Sequence, residues 1–228
     1  MDGIMPRSND SILFLGKKQS DDCRQALEFC QWEFSNVAFA LGEWREPFPE
    51  SLQSWRGDYI ISYLSRWVVP SSLIERASKA AFNFHPASPD YPGIGCTNFA
   101  LYEGAAEYGA TCHHMAARVD TGAIIAVKRF PIVPSDTVAT LLEKTYAKQL
   151  ELFYEVMGHI LKNEPLPSSP ETWTRPPFSR AEFNQLSQIA PNMSPQEIAA
   201  RIRATSYGPW QPTITLSGHT FQYVPPAA

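Results

Sequence analysis

The chain has 228 residues, 44% of them hydrophobic, with a net charge of -4 and a pI near 5.7, long enough for one main core and a small addition. The acidic balance excludes a general polyanion binder, because there is no basic face to serve as an electrostatic footprint for nucleic acid. No apolar run reaches the roughly 18–20 residues needed to span a bilayer, so no membrane partner is expected.

In chain order, Ser11–Gly16 reads as a short apolar strand ending in glycine, and Asp21–Phe34 as a helix with Ala26, Leu27, Cys30 and Phe34 at helical spacing. Asn36–Leu41 reads as a second strand and Pro47–Trp55 as a loop with one helical turn. Tyr59–Tyr63 is a third strand whose lack of alternation places it in the interior of a sheet. Strand, helix, strand with short links favours a parallel sheet. Beyond it the pattern predicts a helix over Pro70–Lys79, a strand over Ala81–Asn83, a helix over Cys96–Tyr102 and strands over Ala110–Met115 and Ile124–Phe130. A long helix spans Asp136–Leu161, with Val138, Leu141, Leu142, Tyr146, Leu150, Phe153, Val156, Met157 and Ile160 along one face. After Pro165 the 20 prolines of the chain become dense and the chain turns irregular. A short helix capped by Ser194 with Pro195 at its first position follows, then a hairpin over Thr213–Leu216 and His219–Val224 turning at Ser217-Gly218. Its apolar residues permit a homodimer.

The polar stretch Met1–Asp10 lacks the apolar core of a signal peptide. Cys23, Cys30, Cys96 and Cys112 show no Cys-x-x-Cys spacing and no framework pattern, so the chain reads as cytoplasmic with reduced thiols.

The chemistry concentrates in Asn83-Phe84-His85-Pro86 and in Asp120, within Arg118-Val119-Asp120-Thr121-Gly122-Ala123-Ile124-Ile125. An amide can donate to a developing oxyanion, an imidazole can take a proton from an attacking amine, and a carboxylate can hold and balance the imidazole. Pro86, Pro89, Pro92, Gly93 and Gly95 directly after His85 exclude a helix or central strand there. A shaped loop of this kind often carries function.

Together with Pro89-Asp90-Tyr91-Pro92-Gly93 and Gly109-Ala110-Thr111-Cys112-His113, these motifs resemble the folate-dependent formyltransferase family, from about Asp58 to Pro131. That family includes glycinamide ribonucleotide transformylase, methionyl-tRNA formyltransferase and the sugar N-formyltransferases. The resemblance implies an α/β, Rossmann-like, mainly parallel sheet flanked by helices over residues 11–162, with a shortened N-terminal half. A small appendage of helix plus β-hairpin would occupy 163–228. It implies N10-formyltetrahydrofolate as donor co-substrate, no metal, and a small-molecule amine as acceptor. Asn83, His85 and Asp120 would be catalytic. Ser65, Arg66, Trp67 and Val68 would grip the pterin by their backbone, with His113 and Gly122 also on the folate side, while Asp90, Tyr91 and Gly93 would lie near the acceptor.

Two features depart from the family pattern. The loop after His85 is one residue short, with Ala87-Ser88 in place of paired leucines, and only about fifty residues precede the third strand. The changed loop disfavours glycinamide ribonucleotide, and the missing extra barrel and basic face disfavour tRNA. A nucleotide-linked amino sugar is then the expected acceptor, with a formyltetrahydrofolate hydrolase as the rival that keeps the same triad. The bland alternative for Asn83, His85 and Asp120 is a set of turn-forming polar residues around a satisfied histidine. Adjacent strand residues point to opposite faces, so at most one of His113 and His114 can face the triad. A zinc or iron site made of His85, His113 or His114 and Asp120 lacks the accompanying His-x-x-x-His spacing. Trp67, Tyr207 and Trp210 could stack on a base or simply pack.

Overall fold

The computed structural model describes residues 7–225. The remaining terminal residues lie outside the description, and with them most of the polar stretch Met1–Asp10. A six-stranded sheet runs in the order β2-β1-β3-β4-β5-β6, from β1 (Ser8–Lys17), β2 (Phe34–Gly42), β3 (Gly57–Tyr63), β4 (Ala77–His85), β5 (Glu107–His114) and β6 (Ile124–Pro131). The first four strands are parallel, and β5 and β6 are added antiparallel.

Period-two alternation sorts the core into two faces. Phe14, Tyr63, Phe82, Phe84, Ala110 and Cys112 point to one face, where α1 (Asp21–Glu33) and α4 (Val138–Leu161) cover them through Cys23, Ala26, Cys30, Phe153 and Met157. Leu13, Leu15, Ile60 and Ala81 point to the other, where Leu73, Phe48, Leu52, Trp55 and Trp67 from loops and short turns cover them. Helix α1 is capped by the Ser20 hydroxyl, which accepts from Cys23 N, and α4 opens with a Thr137/Thr140 capping box.

The helix expected over Pro70–Lys79 is a single turn, α2 (Ser71–Ile74), and the strand expected over Ala81–Asn83 begins at Ala77. The cause is tertiary. β3 lies inside the sheet from Gly57 onward and needs a partner along its length, so residues 77–80 pair with it, Gly57 opposite Ala77 and Tyr59 opposite Ala80. On α4 the buried stripe includes two polar residues, Thr145 and Gln149. Gln149 Nε2 donates to the Phe84 carbonyl at 2.7 Å, in the dipeptide step between Asn83 and His85.

After α4, an irregular strap over residues 163–179 crosses back over the sheet. Ser169 N donates to Ile124 O, Thr174 N to Pro89 O, and Phe178 N to Pro92 O. The strap leads into α5 (Arg180–Leu186), β7 (Gln188–Ile189), α6 (Pro195–Thr205), β8 (Thr213–Leu216) and β9 (His219–Gln222), the last strands forming a second sheet in the order β7-β8-β9. The expected hairpin is β8-β9; β7, too short to show any periodicity, adds a parallel third strand. Helix α6 docks on α3 (Cys96–Tyr102) through Asn98 Nδ2 to Ala204 O at 2.6 Å and Tyr102 Oη to Glu197 at 2.8 Å. No helix among the described residues is long and apolar enough to cross a membrane.

Replacing Gln149 with Leu removes the donor to the buried Phe84 carbonyl. The expected cost is about 1–3 kcal/mol, read as a lowered urea midpoint at unchanged slope. A midpoint equal to wild type would mean that this carbonyl is satisfied otherwise.

Candidate active site

The Asn-x-His spacing works because β4 is a strand to its end. Residues 83 and 85 lie on the same face, opposite Phe82 and Phe84. In the β4-β5 ladder Asn83 stands directly across from His113, and His85 across from Thr111. Period two on β5 sends Cys112 into the core beneath α4 and His113 to the face that carries Asn83. His113 is buried, His114 half-buried. Burial, then the neighbouring His113, lowers the pKa of His114.

His113 Nδ1 lies 2.9 Å from the His114 carbonyl, which can only accept, so this nitrogen carries the proton. Its Nε2 lone pair then accepts from Asn83 Nδ2 at 3.1 Å. A primary amide has two N–H groups. His113 uses one and thereby sets the amide plane, leaving the other for a ligand.

Asp120 comes from the loop between β5 and β6 and is 5% exposed. Its Oδ2 lies 3.4 Å from His85 Nδ1 and its Oδ1 lies 3.3 Å from His113 Nε2. Gly93 N donates to Oδ2 at 2.9 Å. Burial by itself would raise the pKa of this carboxyl, but the adjoining His85, the reach of His113 and the Gly93 N–H outweigh it and hold it at about 2. The backbone at Asp120 is left-handed, with φ 49°, a conformation that Asp and Asn adopt more readily than other non-glycine residues. His85 Nε2 faces the Tyr91 carbonyl at 3.0 Å. Acceptors therefore stand at both nitrogens of His85.

The remaining expected site residues divide between backbone and side-chain roles. Gly93 has φ 91° and sits against the Phe178 backbone, which aims its N–H at Asp120. Tyr91 offers its carbonyl to His85, while its buried ring packs with Tyr108 and Phe178. The Asp90 carboxylate is taken by Arg129 at 2.9 Å, which also binds Glu107 and Glu171. Burial opposes ionisation of Asp90, but the guanidinium prevails and its pKa is lowered. Gly122 lies so close to the His114 carbonyl that a Cβ there would collide with it, the carbonyl that also holds His113. The loop carrying Ser65, Arg66, Trp67 and Val68 follows β3. The Trp67 indole packs on Gly42 and donates to Glu46 O at 2.9 Å, while Trp67 N donates to Ser65 Oγ at 3.2 Å. Tyr207 and Trp210 stack on each other in the carboxy-terminal module. Burial raises the pKa of all four thiols, as fits packing residues.

Sequence reasoning missed two residues. Gln149 was hidden in a helical stripe read as apolar. Trp173, on the strap, lies edge-on to His113 at 5.0 Å and to His85 at 5.8 Å, and its Nε1 donates to Gly122 O at 2.8 Å. Its only sequence signal was an aromatic among prolines. The segment read as an appendage therefore supplies one wall of the site.

Open α/β sheets bind ligands at the carboxyl ends of their parallel strands, and here that end of β4 carries the buried His85 beside Asp120. The family model described as Formyl transferase matches residues 20–157, more than half of the chain, and the chain belongs to that family. Methionyl-tRNA formyltransferase of Listeria monocytogenes is 27% identical over 160 residues, covering 62% of this chain and 51% of the relative; the chain spans about half the length of the curated relatives it matches. Among solved structures, a 4-N formyltransferase from Francisella tularensis aligns with TM-score 0.76 at 16% identity, covering 93% of this chain and 96% of its own. An N-formyltransferase from Helicobacter canadensis, in complex with folinic acid and dTDP-3-aminofucose, aligns with TM-score 0.70 at 21% identity, covering 92% and 85%. At these identities the fold is what is shared.

Two measurements check the geometry. With an ordinary value of 3.8 and a folded value of about 2, Asp120 stabilises the fold above pH about 4, and the contribution disappears as pH falls towards 2. Asp120→Asn keeps the left-handed backbone and removes the charge, so the stability gap between wild type and variant should shrink by on the order of 2 kcal/mol across that window; a gap that stays constant in denaturation curves from pH 6 to 2 refutes the assignment. Replacing Trp173 with Leu should shift the imidazole C–H resonances of both His85 and His113 by loss of ring current, whereas Trp67→Leu should move neither. Unshifted histidine signals in the Trp173 variant would contradict the wall.

Proposed function

We propose that this chain transfers a formyl group from N10-formyltetrahydrofolate to a primary amine of a small acceptor, with a nucleotide-linked amino sugar as the acceptor class. The observation that carries the reading is the Asp120 carboxylate held between His85 and His113, with the Asn83 amide beside it on the same sheet face. When bound, the folate supplies an activated formyl carbon and departs as an amine. Asn83 presents its free N–H to the negative charge that develops on the formyl oxygen. His85 takes the proton of the attacking amine, directly or through a water, and Asp120 with the Tyr91 carbonyl stabilises the resulting imidazolium. Asp120 also stands where it can pass a proton towards the departing nitrogen. Trp173 and the strap keep water from this carboxylate.

The loop after β3 fits a pterin. The backbone groups of Arg66 and Val68 make no hydrogen bond among the described residues, which leaves donors and acceptors for a planar heterocycle with a mixed polar edge. The acceptor class is supported by the solved relative that holds dTDP-3-aminofucose on the same fold, and by the acidic net charge of -4, which is ill suited to tRNA. Four free cysteines fit a cytoplasmic setting.

The test is mass spectrometry of nucleotide-linked amino sugars incubated with the protein and N10-formyltetrahydrofolate. One sugar should gain a formyl group. Asn83→Ala should slow this by about 100- to 1,000-fold and His85→Ala by about 100- to 10,000-fold, both variants remaining folded, with the His85→Ala midpoint lowered because Asp120 loses a partner. Donor consumed with formate released and no adduct would make the protein a hydrolase; no consumption would refute the reading.

A further inference from the structure

At the carboxyl edge of the sheet, the chain order reverses between β1 and β3, since β1 leads to β2 on one side and β3 lies on the other. Open α/β sheets bind ligands in the crevice at such a switch point. Here the residues leaving β1, β2 and β3 at that point are Lys17, Trp44 and Arg66. The Arg66 guanidinium lies 5.9 Å from the Trp44 ring centroid. From the far side of the site, Arg180 lies 5.3 Å from the same ring.

Two guanidiniums over one exposed indole repel each other, and the indole, 55% exposed, offsets this only in part. Neither Arg66 nor Arg180 makes an ion pair or a side-chain hydrogen bond among the described residues, and neither does the ammonium of half-buried Lys17. The acids nearby are largely engaged. Glu46 pairs with Lys18 at 2.7 Å, Glu182 caps α5 through Ser179, and Glu43 remains as the one carboxylate acting on Lys17. In a chain of net charge -4, three clustered cations with so little acid around them mark a built feature and not a generally basic surface.

The cluster is also tied to the reacting centre. Gly16 stands opposite Tyr63, and Tyr63 opposite Phe84, so the β2 exit lies three strand spacings, about 15 Å, from the end of β4. Arg180 follows by two residues Phe178, whose backbone bridges Gly93, the donor to Asp120.

We infer that Arg66 and Arg180 over the Trp44 ring, with Lys17 at the end of β1, bind the polyanionic tail of a substrate whose reactive end lies at His85 and Asp120. The shared chemistry is a close pair of phosphates or carboxylates, available either from the diphosphate of a nucleotide-linked acceptor or from the glutamyl carboxylates of the folate donor. The inference rests on the formyl-transfer reading only for the position of the reactive end.

Calorimetric titration of the full chain tests it, using uridine and thymidine diphosphates as one set of probes and folinic acid with its triglutamate as the other. Loss of a charge-assisted contact in Arg180→Gln should weaken binding about tenfold or more, and Trp44→Leu should weaken the same probe. Weaker nucleoside diphosphate binding assigns the cluster to the acceptor. Weaker triglutamate binding, with folinic acid unaffected, assigns it to the donor. All probes binding wild type and both variants within twofold, or none binding wild type, overturns the inference. Thermal midpoints within about 2 °C of wild type would exclude unfolding as the cause. Because binding is read without turnover, a chain that binds a probe through Arg180 yet forms no adduct keeps this inference and loses the proposed activity.

Discussion

A buried carboxylate organises this protein. Asp120 is 5% exposed, and an ionised group so placed is tolerated only when its oxygens are satisfied. Two elements meet that demand at Oδ2, His85 at the end of β4 and the Gly93 N–H on the proline-rich loop, while His113 on β5 lies beside Oδ1. Each partner is itself anchored, His85 to Tyr91 O, His113 to His114 O, and Gly93 by its pairing with Phe178. Removing His85 or the Gly93 N–H would leave a charge with unmet bonds in a dry setting, so the local backbone and the site share one requirement.

The sheet supplies the precision. Asn83 and His85 share a face because two residues make one strand period, and Asn83 meets His113 because the antiparallel register places them opposite. The same alternation puts Phe82, Phe84 and Cys112 into the core under α4, so the face that carries Asn83 and His85 cannot rotate without expelling the core face. Gln149 adds a bond from α4 to the carbonyl between the two functional residues. Rigid elements on one side and a strained, glycine-dependent loop on the other are a common division of labour in sites that must hold charge in place.

The carboxy-terminal part joins this arrangement and does not merely follow it. The family match ends at residue 157, yet Trp173 stands against both imidazoles and Glu171 shares Arg129 with Asp90 of the proline-rich loop. The strap over the site then carries Arg180 to Trp44, bringing the carboxy-terminal segment to the switch point of the sheet.

Much was legible in the chain itself. Asn83, His85 and Asp120 stood out as residue types suited to acyl transfer, and the cluster of Pro and Gly after His85 marked a loop because those residues restrict backbone conformation wherever they occur. Strands such as Tyr59–Tyr63 and the long helix ending at Leu161 could be read from periodicity, which is a local property. Other features depend on partners distant in sequence. Residues 77–80 became strand because β3 needed a neighbour, Asp90 was claimed by Arg129, and Gln149 and Trp173 acquired roles only when the helix and the strap were packed against β4 and β5. Backbone preference and pattern are written residue by residue, so the sequence alone determined the elements and the chemistry available to them; contacts between remote residues arise only when the chain closes on itself, so the tertiary structure decided which side chains meet and which are already occupied.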